Sequence, residues 1–147
     1  MVKFITAMMF ALVGIFIIDQ NLKQLFIDGY RFYSDYIDLI LVYNKGVAFS
    51  MFAFLQDWLK WIQLVLIAGV GAYIINLRQN CYAVPAGILL GAGLSNVYDR
   101  FIHGGVVDYI YYHHWFEFAV FNFADVMIDV AVIWLVILNF KPKLCRS

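Results

Sequence analysis

A chain of 147 residues that is 65% hydrophobic and 14% charged, with a mean hydropathy of +0.82, has too little polar surface for a soluble domain of its size. Ten basic and ten acidic residues leave it with no net charge, and no nucleic-acid partner is expected. The chain belongs in a membrane.

The first apolar run is followed by "IIDQNLKQLF" and not by a small-residue cleavage site, so it reads as a retained span over about residues 4–23. Near its end, Asp19 and Lys23 lie one helical turn apart in the favourable acid-then-base order, which by itself needs no more than a salt bridge closing the span. Residues 24–58 form a long connection. Within it "YIDLILVYNKGVAFSMFAFL" (36–55) is rich in β-branched and aromatic residues, and Asn44, Lys45 and Gly46 supply turn chemistry. A short strand on the bilayer surface is the natural reading.

A second span is expected over about 59–77 and a third over about 81–100, the latter interrupted by Pro85 and three glycines. Gly91 and Gly93 would let another helix approach closely; Asn96, Asp99 and Arg100 follow at the helix end, where an arginine and an acid ordinarily pair. The next connection, 101–122, contains "VVDYIYYHHWFEFAVF". Asp108 lies there in an otherwise apolar strand, after a Gly-Gly break, where an inward carboxylate is costly without a purpose. The last span, about 123–140, belongs to "FNFADVMIDVAVIWLVILNF", which opens with Asn122, Asp125 and Asp129. An N-cap role would account for Asp125 alone. The expectation is one membrane α-helical domain over 1–147, four transmembrane helices with a small extracytoplasmic β platform.

Four spans put the N-terminus, the 76–81 turn and the tail on one side, with Lys3, Arg78, Lys141, Lys143 and Arg146 and no acid. The density of positive charge in these short pieces places both termini in the cytoplasm. Cys81 and Cys145 fall on that side and read as two ordinary free thiols. The residues capable of chemistry collect at the opposite, extracytoplasmic ends of the spans. Two aspartates from separate elements meeting at a membrane surface imply acid–base work on water, one carboxyl keeping its proton while the other accepts one. Such a site needs no metal or cofactor. A metal set of His103, His113, His114 and Glu117 is disfavoured because adjacent histidines on a strand point to opposite faces. A small four-span proton-coupled transporter is the alternative, since intramembrane acids also mark proton pathways.

Taken in order, "DQNLK", "NKGVAF", "SNVYDRFIHGGVVDYI" and "FNFADVMI", joined to four spans, resemble lipoprotein signal peptidase, the bacterial signal peptidase II family of membrane aspartic proteases. The resemblance implies a catalytic pair at Asp108 and Asp125. It also implies support or substrate positioning by Asp19, Lys23, Asn44, Gly46, Asn96, Arg100 and Asn122. The implied substrate is a diacylglyceryl-modified prolipoprotein, cut before its lipobox cysteine by an enzyme of the bacterial inner membrane, in contact with membrane lipid and acting as a monomer. Two departures stand out: Ser95 occupies a place where the family often has glycine, and Asp129 is an acid that the pattern does not require.

Overall fold

The computed structural model describes residues 1–46, 55–77 and 79–145. Among these residues four α-helices run in chain order: α1 (Val2–Ile27), α2 (Gln56–Leu77), α3 (Ala83–Ile102) and α4 (Phe123–Phe140). Two strands, β1 (Ile37–Asn44) and β2 (Val106–Tyr112), pair antiparallel in the α1–α2 and α3–α4 connections. Each of the four helical stretches is long and apolar enough to cross a membrane, and their burial is unequal: 61% of the α3 stretch is buried against 17% in each of the others. Thus α3 is the axis on which α1, α2 and α4 pack. The other three turn residues such as Phe10, Val65 and Ile133 outward, as a lipid-facing surface would require.

Small residues make the axis possible. Gly87 and Gly91 stand one turn apart on α3, and a Cβ at either would run into the Met8 or Leu12 carbonyl of α1. The two backbones therefore touch through a small-xxx-small seam. Gly93 faces the Ile67 side chain of α2 instead. Pro85 does not interrupt α3. It lies in the first turn, where backbone N–H groups have no partner within the helix. At one end of the bundle Phe4, Met8, Ile74, Ala83, Ala86 and Leu90 form an apolar core. The other end is polar inside.

The ribbon covers that polar end. Its register runs from Ile37 opposite Tyr112 to Asn44 opposite Val106, with an irregularity where Leu39 to Val42 faces Ile110 to Asp108. β1 there spends one residue more than β2, the signature of a bulge. Of the surface segment expected over 36–55, residues 47–54 lie outside the described residues. α1 ends through Gly29, whose φ of +105° suits only glycine, and the chain then returns to pair Phe32 with Leu39.

One expectation is corrected. Cys81 and Cys145 are not two separate thiols but a disulfide, with Cα atoms 5.2 Å apart. The sequence placed both on one side without giving their separation; the short 3-10 turns that begin α3 (Asn80–Tyr82) and follow α4 (Pro142–Cys145) meet in space.

The α1–α3 seam makes a test. Gly91→Val should destabilise the protein by about 1–3 kcal/mol or more, because the new side chain has only α1 backbone to displace. Gly14→Ala, with nothing within 4 Å of its Cβ position, should leave the thermal midpoint in detergent nearly unchanged.

Candidate active site

At the polar end, α1 and α3 face each other with charged residues at helical spacing. Asp19, Gln20 and Lys23 come from α1, and Ser95, Asn96, Asp99 and Arg100 from α3. Lys23 is 1% exposed and Asp19 and Asp99 are wholly buried. An ammonium has three N–H donors and no acceptor, and all three are used: 2.6 Å to Asp19 Oδ2, 2.7 Å to Asp99 Oδ2 and 2.8 Å to Asn96 Oδ1. The carboxylates have further donors. Ser95 Oγ donates to the same Asp19 Oδ2 at 2.6 Å, and Gln20 Nε2 donates to both Ser95 Oγ and Asp99 Oδ1 at 2.8 Å.

This cluster reaches the other elements through backbone. Asp19 Oδ1 accepts the Ala124 N–H at the start of α4, and Asp99 Oδ2 accepts the Val107 N–H at the start of β2. The Asp19–Lys23 pair is therefore far more than an interfacial salt bridge. Asp99, adjacent to Arg100 in sequence, pairs with Lys23. Arg100 instead donates from Nε to Gln63 Oε1 of α2 at 2.9 Å, and its terminal nitrogens reach the Lys45 and Gly46 carbonyls after β1.

Asn122 joins the cluster to the two carboxylates. It is fully buried, and its Nδ2 donates to Asn96 Oδ1, the Val107 carbonyl and Asp108 Oδ1, the last at 2.8 Å. Asn122 is also the N-cap of α4, with Asp125 at the third helical position. Asn122 Oδ1 accepts the Asp125 N–H while Asp125 Oδ2 accepts the Asn122 N–H, a reciprocal capping box. Asp125 thus caps the helix with one oxygen and holds Asn96 Nδ2 with the other, at 2.9 Å. The segment before Asn122 is tied to β2, since Phe121 and Ile110 exchange both backbone hydrogen bonds. That pairing sets Asn122 beside Asp108.

Asp108 is 2% exposed and receives a second amide donor, Asn44 Nδ2, at 3.0 Å. Burial, with the charge of Asp125 adding to it, pushes the Asp108 carboxyl up to about 7. Asn44 in turn accepts the Gly46 N–H, so the turn after β1 is folded around the same side chain. A cavity of about 400 Å³ opens over the pair, lined by Asn44, Asn96, Arg100, Asp108, Asp125 and Asp129, with Gln63 and the 118–121 segment among its walls. Its size is that of a ligand pocket. Asp129 faces this cavity and, among the described residues, has neither an ion pair nor a hydrogen bond from its side chain.

All nine residues singled out in the sequence are accordingly found at this end of the molecule. The sequence reading missed Gln20 and Ser95 as partners and gave Asp99 to Arg100, although the spacing of 19, 20 and 23 against 95, 96 and 99 held the signal for two facing polar stripes. The histidines do not converge. His103 lies against Tyr43 at one end of the ribbon and His113 sits 3.2 Å from Asp38 at the other, with His114 against Tyr36.

A helical membrane fold that brings a buried and a half-buried carboxyl to one cavity defines a class, a polytopic membrane enzyme with the parts for aspartic chemistry. Residues 11–141 match the family described as Signal peptidase (SPase) II. The chain is 67% identical over 146 residues to a lipoprotein signal peptidase of Sulfurimonas denitrificans, spanning 99% of this chain and 95% of that one. Against the lipoprotein signal peptidase of Helicobacter pylori it is 50% identical over 131 residues, 88% of this chain and 83% of that one. A bacterial membrane enzyme structure obtained by the in meso method superposes with a TM-score of 0.82 at 23% identity, covering 95% of this chain and 90% of that one, a likeness of fold. The chain belongs to the signal peptidase II family. The comparisons give no support to a transporter.

Lys23→Met should show how much rests on the cluster. It leaves two buried carboxylates without their counter-ion, a loss of on the order of 3–5 kcal/mol, and should sharply lower the thermal midpoint in detergent. Lys3→Met, at an exposed position, should change stability by less than about 0.5 kcal/mol.

Proposed function

We propose that this chain is an aspartic endopeptidase that removes the signal peptide from diacylglyceryl-modified prolipoproteins, at the bond before the lipobox cysteine, with Asp108 and Asp125 as its catalytic pair. The observation that carries the assignment of the pair is their joint attachment. Two carboxyl groups from β2 and α4 are held by one buried residue, Asn122, whose side-chain amide donates to Asp108 and whose backbone N–H donates to Asp125, at the wall of a cavity. Family membership and close relatives named lipoprotein signal peptidase support the reaction.

With the proton on Asp108, Asp125 is the base. A water between them attacks the carbonyl carbon of the scissile bond, giving one proton to Asp125 while Asp108 protonates the carbonyl oxygen. The tetrahedral intermediate collapses when the carbon–nitrogen bond breaks. Asp125 then hands its proton to the departing cysteine amine, and the hydroxyl proton returns to Asp108, restoring the pair. Asn44, Asn96 and Asn122 fix the two carboxyls, and Arg100 and Gly46 hold the turn above them.

The substrate's acyl chains would stay in lipid beside the helices, their binding energy positioning the peptide bond at the pair. Both termini then face the cytoplasm and the ribbon lies on the outer surface of the inner membrane, an orientation supported by the basic short segments. One chain supplies every residue of the proposed site, and the enzyme works as a monomer.

Purified protein in detergent, incubated with a diacylglyceryl-modified prolipoprotein, should release the signal peptide. Asp108→Asn and Asp125→Asn should each lower that rate by on the order of 10²–10⁴ in a protein that still folds, and Asp129→Asn should remain active. An active Asp125→Asn variant beside an inactive Asp129→Asn variant would move the assignment one helical turn. Release of the peptide by neither variant nor parent would remove the proposed reaction.

A further inference from the structure

α4 begins inside the protein, so the N–H groups of its first turn need partners there. Ala124 finds Asp19 and Asp125 finds its own cap, Asn122. The first helical N–H, Phe123, finds the phenol oxygen of Tyr109 at 3.1 Å. Tyr109 immediately follows Asp108 on β2, and successive residues of a strand point to opposite faces. One face of β2 thus carries the Asp108 carboxyl toward the cavity, and the other carries a phenol to the end of the helix that bears Asp125. The ring itself is fixed. It is 4% exposed and stacks on Phe26 of α1, with ring centroids 4.1 Å apart and planes within 10° of parallel.

We propose that Tyr109 is a positioning residue for the reaction: its phenol oxygen, clamped by Phe26, holds the first turn of α4 and so sets Asp125 against Asp108. The proposal rests on the catalytic pair assigned above. Tyr109 touches neither substrate nor water in this role. Without its oxygen the half-buried Phe123 N–H is left unpaired, and the helix end recovers by shifting toward another acceptor. A displacement of the order of 1 Å at a reacting group is enough to slow the chemical step strongly.

The charged groups around the phenol are Asp19 of α1, Asp125 of α4 and Asp108 of its own strand, with Lys23 and Asp99 in the cluster behind Asp19. Burial, together with these carboxylates, pushes the Tyr109 phenol above its ordinary range, so it stays a neutral phenol wherever the enzyme works. Its contribution is therefore constant with pH.

Tyr109→Phe is the test, since it keeps the ring and its stacking and removes one oxygen. The expected result is a fall in kcat on the order of tenfold with KM unchanged, present on both limbs of the pH–rate profile from about pH 6 to 9. An unchanged kcat, with or without a lower thermal midpoint, would overturn the proposal by leaving Tyr109 a packing residue. A loss confined to one limb of the pH–rate profile would overturn it too, by making Tyr109 a titrating member of the site. Hydrogen exchange gives a reading on the unsubstituted enzyme: the Phe123 amide should exchange as slowly as the amides of the α4 interior, and fast exchange would contradict the clamp. If Asp125→Asn retains activity, the assignment of the pair fails; if Asp125→Asn is inactive and Tyr109→Phe is unimpaired, only this inference fails.

Discussion

A single buried ammonium organises the polar end of this protein. Lys23 cannot be ionised inside a helical bundle without partners, and each of its three N–H groups has one: Asp19, Asp99 and Asn96. Those partners lead outward to the two elements that carry Asp108 and Asp125. Asp19 binds the first turn of α4, Asp99 binds the first peptide of β2, and Asn96 binds Asp125. The positions of the two proposed catalytic carboxyls are thus consequences of pairing one charge. Such a cluster is poor value as a stabiliser compared with well-packed apolar residues, but its geometry allows one arrangement of three helices and a strand.

The same logic explains the ribbon. A carboxyl that must hold a proton near neutral pH needs a site shielded from water and close to a like charge, and β2 provides both by carrying Asp108 beneath the paired strands and beside α4. Asn44 reaches across the ribbon from β1 to Asp108, and Arg100 of α3, holding the turn that follows β1, fastens the ribbon to the bundle. The bulge in β1 belongs to the same stretch of the ribbon, between Leu39 and Val42 opposite Asp108.

Much of this was legible in the sequence because the bilayer imposes simple constraints. Long apolar runs announced four helices, and acids are so costly beside them that Asp19, Asp108 and Asp125 stood out at once. The family motifs then ordered them. What escaped was pairing across the fold. Asp99 and Arg100 are neighbours in the chain and invite a local pair, yet on a helix adjacent residues point about 100° apart, so one faces α1 and the other α2. Pro85 reads as an interruption until its place in the first turn of α3 is known. Cys81 and Cys145 carry no local pattern, and only the packing of α3 against α4 brings their turns together. Tyr109 is one aromatic among many in "VVDYIYY", and its hydrogen bond depends on where α4 begins.

The central claim is that Asp108 and Asp125 form one electrostatic unit in which Asp108 keeps its proton near neutral pH. The most direct test is to follow the Asp108 carboxyl carbon by NMR, in protein with labelled aspartate, across a pH titration. A group raised by burial and by a neighbouring negative charge gives up its proton late, so the midpoint should lie near 7, and Asp125→Asn should move it to lower pH by removing that charge. A midpoint near the ordinary aspartate value of about 4, or one indifferent to Asp125→Asn, would contradict the account.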